Sequence, residues 1–179
     1  MNSTKMLYCL GCLFVLALAA GCASTHTRRI EVTAYCGCGE CNNYRRGSWW
    51  FLKVNFWDKH IDSGPHAGER YDGRTASGAR PYPPNPGLIS LNSLTHPWWI
   101  PVRAVLPWLW LPYPGTLAAD TQYYPFGTEI YVPGWGWGVI EDRGLAITGP
   151  NRLDAFFRWH WQTEDWGRQD LVCKIRGKE

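Results

Sequence analysis

The chain has 179 residues, enough for one domain with a sizeable core and hardly enough for two. Only 18% of the residues are charged, beside 12 Trp, 13 Pro and 19 Gly; that mix points to a loop-rich β protein with an aromatic surface and away from a helical bundle. A net charge of +3 with no Lys/Arg stripe gives no footprint for nucleic acid.

Residues 1–21 read as a secretory signal peptide: one Lys, an apolar run from Met6 to Ala20, then small residues before Cys22. The run is shorter than the roughly 20 residues of a spanning helix. Ala19-Ala20-Gly21-Cys22 resembles the lipobox of bacterial lipoproteins, which implies cleavage before Cys22, lipidation of its thiol, and a tether over 22–28. Ala23 stands where an inner-membrane retention signal would be Asp, so in a Gram-negative host the resemblance implies the outer membrane, facing the periplasm.

Cys9 and Cys12 leave with the signal, and Cys36, Cys38, Cys41 and Cys173 remain. Four thiols in an oxidising compartment predict two disulfides with three possible connectivities, of which any with Cys36–Cys38 is the most strained. The rival reading is a tetrahedral zinc site, for which CxCxxC plus a distant Cys is not a common spacing. Either arrangement would tie the first strand to the last. His26, His60, His66, His96 and His160 show no paired ligand spacing and read as surface or core groups, so no metal and no cofactor is expected.

Residues 29–35 (RIEVTAY) alternate and are β-branched, which predicts a strand. Residues 42–74 hold Trp49, Trp50, Phe56 and Trp57 among charges without a clear period, and 75–78 (TASG) read as a compact turn. Proline occurs nine times from Pro81 to Pro114, so helix is not expected there. Those prolines and Arg103 also argue against a membrane span, because backbone groups freed by proline need partners that lipid lacks. The expectation is an insertion packed over the core; alternatively Trp98, Trp99, Trp108 and Trp110 line a sugar groove or rest at a membrane interface. Short strands over 115–120, 129–132 and 138–142, a helix over 160–166 and a closing strand over 170–176 complete the pattern of a small barrel.

Two acids stand out because each adjoins an apolar run, where an ionised carboxylate is costly unless paired or used: Asp142 in GVIEDRG and Asp154 in NRLDAFF. With LAADTQYYPFGTEIYVPGWGWGVIEDRG and NRLDAFF in the C-terminal half, VTAY and TASG upstream, and WQTEDWGRQDLVCKI at the end, the chain resembles the three-aspartate (3D) domain family. The resemblance covers residues 30–36, 74–79 and 115–176 and leaves 42–73 and 80–114 as insertions. It implies a mainly β fold, a double-psi β-barrel with a short C-terminal helix, like the catalytic core of membrane-bound lytic transglycosylase A. The whole of 29–179 is then a single domain whose partner is the glycan strand of peptidoglycan, with a membrane reached through the lipid anchor.

The implied activity is cleavage of the MurNAc–GlcNAc bond to a 1,6-anhydro-muramyl product. In that chemistry one carboxyl protonates the leaving oxygen and, as conjugate base, takes the proton of the sugar's 6-hydroxyl as it attacks C1. A partly apolar site would raise the pKa of that acid. By the family match, Asp154 is the general acid and base, Asp142 stands beside it, and Asp120 completes the cluster or positions 121–128. Thr75 is expected to bond substrate or a carboxylate, and Gly144 and Gly149 to let backbone approach the sugar. The family's usual lysine is replaced by Thr148, and Arg143 or Arg152 could take over its contact. A two-carboxylate glycoside hydrolase and a non-catalytic wall-binding lipoprotein are the alternative readings.

Overall fold

The computed structural model describes residues 25–48 and 55–176. The signal segment, Cys22, Trp49 and Trp50 lie outside the described residues. Strand β1 (Thr25–Cys36) is followed by a one-turn helix α1 (Gly39–Asn42) and the short paired strands β2 (Tyr44–Arg46) and β3 (Lys59–Ile61). Helices α2 (Leu91–Thr95) and α3 (Ile100–Val105) lie in the proline-rich insertion. Then come β4 (Gly115–Ala119), β5 (Glu129–Val132), β6 (Gly136–Asp142), β7 (Arg152–Phe157), α4 (His160–Trp166) and β8 (Gln169–Arg176).

Six strands close a barrel in the order β1-β7-β4-β6-β5-β8, with β8 returning to β1. The β1/β7 and β4/β6 pairs are parallel and the others antiparallel, the mixed pairing of a double-psi β-barrel. Alternation fills the interior from every strand: Ile30 and Val32, Leu117 and Ala119, Ile130 and Val132, Ile140, Leu153 and Ala155, Cys173 and Ile175 form one buried cluster. Each large aliphatic side chain there contributes about 1.5–3 kcal/mol by leaving water. β1 begins at Thr25 rather than at residue 29 because β8 pairs with it as far as Thr25↔Arg176.

The helices inside the proline-rich segment correct the expectation of none. Pro101 sits in the first turn of α3, and Pro97 and Pro107 open single 3-10 turns. At those positions the missing N–H would have no helical partner, and the fixed φ suits a helix. The insertion is pinned at its base by Asn85 and Tyr113, whose backbones exchange two hydrogen bonds of 3.0 Å. It organises around the buried Arg103, which donates to Ser93 Oγ at 2.7 Å and Asn92 Oδ1 at 2.8 Å. Trp98, Trp99, Trp108 and Trp110 face outward, between 48% and 68% exposed, rather than covering the barrel core. Among the described residues no helix is long and apolar enough to cross a membrane.

Candidate active site

β4 carries the geometry that brings two acids together. Its Ala118 stands opposite Asp142 of β6 on one side and Asp154 of β7 on the other. In a regular strand Asp142 would share the inward face of Ile140, which is fully buried in the core. A register shift between Leu117 and Ala118 skips Glu141, so Leu117 pairs with Ile140 but Ala118 pairs with Asp142. That bulge re-aims Asp142 onto the face of Ala118 and Asp154, as bulges beside functional sites do.

Asp142 is held from three directions. Its Oδ1 accepts from the amides of Ala76 at 3.0 Å and Arg143 at 2.9 Å, and its Oδ2 accepts from the Tyr35 hydroxyl at 3.1 Å. Tyr35 is a residue that the sequence reading left without a role, although it ends the VTAY motif and alternates with Thr33 on one face of β1. Burial, then the charge and hydrogen bond of Asp142, then the charge of Asp154 push its phenol far up, which keeps it a neutral donor. The TASG turn contributes through backbone. The Thr75 hydroxyl bonds Ser77 Oγ and the Ala79 carbonyl inside the turn rather than either acid, while Ala76 N reaches Asp142 and Ser77 N reaches the Glu141 carbonyl.

Asp154 lies between Leu153 and Ala155, both in the core, and opposite Thr33 of β1. Its pKa is raised from 3.8 to about 6, chiefly by burial. The Asp142 and Glu31 charges add to that rise, and Arg152 and Arg168 oppose it. These two arginines reach Glu31 at 3.2 Å and 3.3 Å, a small ion cluster at the margin of the site. Arg152 also donates to the Ala146 carbonyl at 3.0 Å, inside the loop that carries the exposed Thr148. Arg143 contributes its backbone amide to Asp142, and its side chain is exposed.

Asp120 has a different part. Its Oδ1 accepts from Gln122 N at 3.0 Å and its Oδ2 from Gly149 N at 2.8 Å, so it stitches the loop after β4 to the loop before β7. Gly149 has φ +81°, a left-handed conformation that glycine takes without steric cost. Gly144 accepts from Ile147 N at 3.0 Å, and a Cβ there would press on Ile147 Cδ1 at 3.0 Å. Of the predicted residues, then, Asp142 and Asp154 converge, Arg152 acts on Asp154 by charge, and Asp120, Gly144 and Gly149 shape the loops.

The cysteines depart from the two-disulfide expectation. All four are free, and Cys173 is sealed in the barrel core, where burial pushes its thiol up to about 11. Cys36, Cys38 and Cys41 instead gather around His160, a histidine read from the sequence as a surface or core group.

Residues 115–175 match the model of the 3D domain family. Two proteins of Bacillus subtilis (strain 168) are similar over 59 residues, 33% of this chain: "Putative cell wall shaping protein YabE" at 34% identity and "Cell wall-binding protein YocH" at 32%. The matched segment spans 14% of the length of the first and 20% of the second. The segment similar to the 3D domain family, residues 115–175, carries Asp120, Asp142 and Asp154 and holds five of the six barrel strands, all but β1, with the loops between them.

Proposed function

We propose that this protein is a peptidoglycan lytic transglycosylase that works from the cell envelope with Asp154 as its general acid and base. The observation that carries the reading is a half-buried carboxyl whose pKa is raised to about 6, one strand away from a second carboxyl held by three hydrogen bonds. Such an acid keeps a useful protonated fraction near neutrality and still gives a competent conjugate base. The names of the two relatives refer to the cell wall, which supports a wall polymer as the substrate.

In the proposed reaction the Asp154 carboxyl donates its proton to the glycosidic oxygen as the bond from C1 of MurNAc to that oxygen breaks. Positive charge grows at C1 and the ring oxygen, and Asp142 lies on the same face to oppose it. Asp154, now a carboxylate, takes the proton of the 6-hydroxyl while O6 bonds to C1. The products are a strand ending in 1,6-anhydro-MurNAc and a strand with a free hydroxyl on GlcNAc, and Asp154 regains its proton without consuming water. Tyr35 fixes the Asp142 oxygen that does not face Ala76 and Arg143.

The test is mass spectrometry of purified sacculi digested with the full chain. Anhydro-muramyl products from the parent, reduced by about 100-fold or more in Asp154→Asn, are expected for a lost general acid. Reducing-end products would mean a hydrolase with Asp142 as its second carboxyl. Binding to sacculi without any product would make the domain a wall-binding module, and both outcomes overturn the transglycosylase.

A further inference from the structure

The end of β1, the one-turn helix α1 and the first residue of α4 meet at a cluster that the proposed glycan chemistry does not use. His160 Nδ1 lies 3.8 Å from Cys36 Sγ, 3.5 Å from Cys38 Sγ and 3.6 Å from Cys41 Sγ. Cys36 Sγ and Cys41 Sγ are 3.7 Å apart, and all four donor atoms fall within 4.8 Å of one another. We propose that Cys36, Cys38, Cys41 and His160 form a tetrahedral site for a thiophilic divalent cation, zinc foremost.

The edges of the cluster carry the proposal. A tetrahedron with metal–sulfur bonds of about 2.3 Å and a metal–nitrogen bond of about 2.0–2.1 Å has sulfur–sulfur edges near ~3.8 Å and sulfur–nitrogen edges near ~3.6 Å. The three sulfur–nitrogen separations and the Cys36–Cys41 separation match those edges. A disulfide needs sulfurs about 2.05 Å apart and leaves no reason for an imidazole nitrogen to face three thiols together.

The surroundings fit as well. The far ring nitrogen, Nε2, faces Glu40 Oε2 at 3.0 Å and Glu164 Oε1 at 3.8 Å. A carboxylate behind the imidazole fixes the tautomer that leaves Nδ1 free to ligate. Cys41 N donates to Cys38 Sγ at 3.4 Å, and the Asn42 amide holds the Cys36 and Cys38 carbonyls, so the CxCxxC loop is curled around its sulfurs. A concavity lined by Cys38, Glu40, Arg45, Asp62 and His160 gives an ion a way in.

Four protein ligands close the coordination sphere, which is the pattern of a structural site. The parallel register explains its location: Cys36 stands opposite Phe157, three residues before His160. The ion therefore staples the ends of two parallel strands that have no short connection, immediately after Tyr35, which holds Asp142.

The experiment uses the full chain, purified in detergent without chelator. Elemental analysis is expected to find about one zinc per chain, matching one closed tetrahedral site. Cys173→Ala should keep it, and Cys38→Ser and His160→Ala should lose it. Because the last two variants can fail to fold, the parent is also titrated with a mercurial that blocks thiols, and the released zinc is counted. Replacement by cobalt(II) should give intense ligand-field bands and thiolate-to-cobalt charge transfer, which an adventitious surface ion would not. A chelator should lower Tm, with recovery on adding zinc and none on adding magnesium. The proposal is overturned by a metal content at background, by zinc that survives removal of the three thiols, or by peptide mapping that finds any two of them joined as a disulfide.

Discussion

At the residue scale, Asp154 is a group the fold holds at a cost. Its folded pKa of about 6 against 3.8 means that between those values the native chain keeps a proton that the unfolded chain has released. With more protons bound in the native state, stability falls as pH rises through that window. The penalty is absent below about pH 4 and complete above about pH 6, at an upper size of about 3 kcal/mol. Asp154→Asn removes the charge without changing the shape. Thermal melting should therefore show the variant several degrees more stable than the parent at pH 8 and equal to it at pH 3.5. An equal Tm at both pH values would mean that burial does not act on this carboxyl. A site residue that destabilises its own fold is what a stability–activity trade-off looks like, whereas a structural aspartate would be missed at every pH above its own range.

At the scale of the elements, the barrel leaves no slack where β4 crosses β6. A Cβ on Gly138 would meet Leu117 Cγ at 2.5 Å, in the buried core, and Trp135 Cζ3 at 2.6 Å, on a ring packed against that core. Gly138→Ala should cost on the order of 1–3 kcal/mol by overpacking, read as a lower urea midpoint with an unchanged slope. At Gly149, where a Cβ has open space but φ is +81°, alanine should cost about 1–2 kcal/mol through backbone strain alone. The elements themselves were legible in unequal measure. β5 and α4 coincide with their sequence-predicted bounds, since period and turn signals are local. The early start of β1 was not legible, because it depends on β8, and neither was the bulge at Glu141, which exists only relative to β4. The acids could be found by motif, but His160 could not: its thiol partners lie 119 to 124 residues away and meet it only through the β1/β7 register. Proline misled over residues 81–114 because its helix-breaking effect is positional, and here three of the prolines open turns.

At the scale of the whole molecule, the proline-rich insertion is joined to the barrel at its base, and its Leu91, Asn92 and Arg103 share a concavity with Tyr131, Trp135 and Trp137 of the barrel. Its polar groups are satisfied internally: Arg103 bonds Ser93 and Asn92, Asn85 Nδ2 reaches the Leu109 and Leu111 carbonyls, and Leu88 N donates to the Trp110 carbonyl. The paired bonds between Asn85 and Tyr113 already hold the two ends together, as strands flanking a hairpin turn are held. The barrel core draws nothing from residues 86–111; its apolar cluster comes from the six strands and Tyr124, with Trp135, Phe157, Trp166 and Leu171 packed against it. Excising 87–111 and joining the ends with a short Asn-Gly turn should therefore leave the barrel folded. Closing a shorter loop is also favourable, though by only about 0.6 kcal/mol per halving of length. Circular dichroism of the excised chain should match the parent, with Tm changed by no more than a few degrees. Loss of cooperative melting would show that the insertion is part of the core after all. If the fold holds, sedimentation with sacculi then separates the two uses of the outward tryptophans. Weakened pelleting with intact cleavage of short soluble glycans would assign Trp98, Trp99, Trp108 and Trp110 to gripping the polymer. Unchanged pelleting would leave that aromatic face to some other surface.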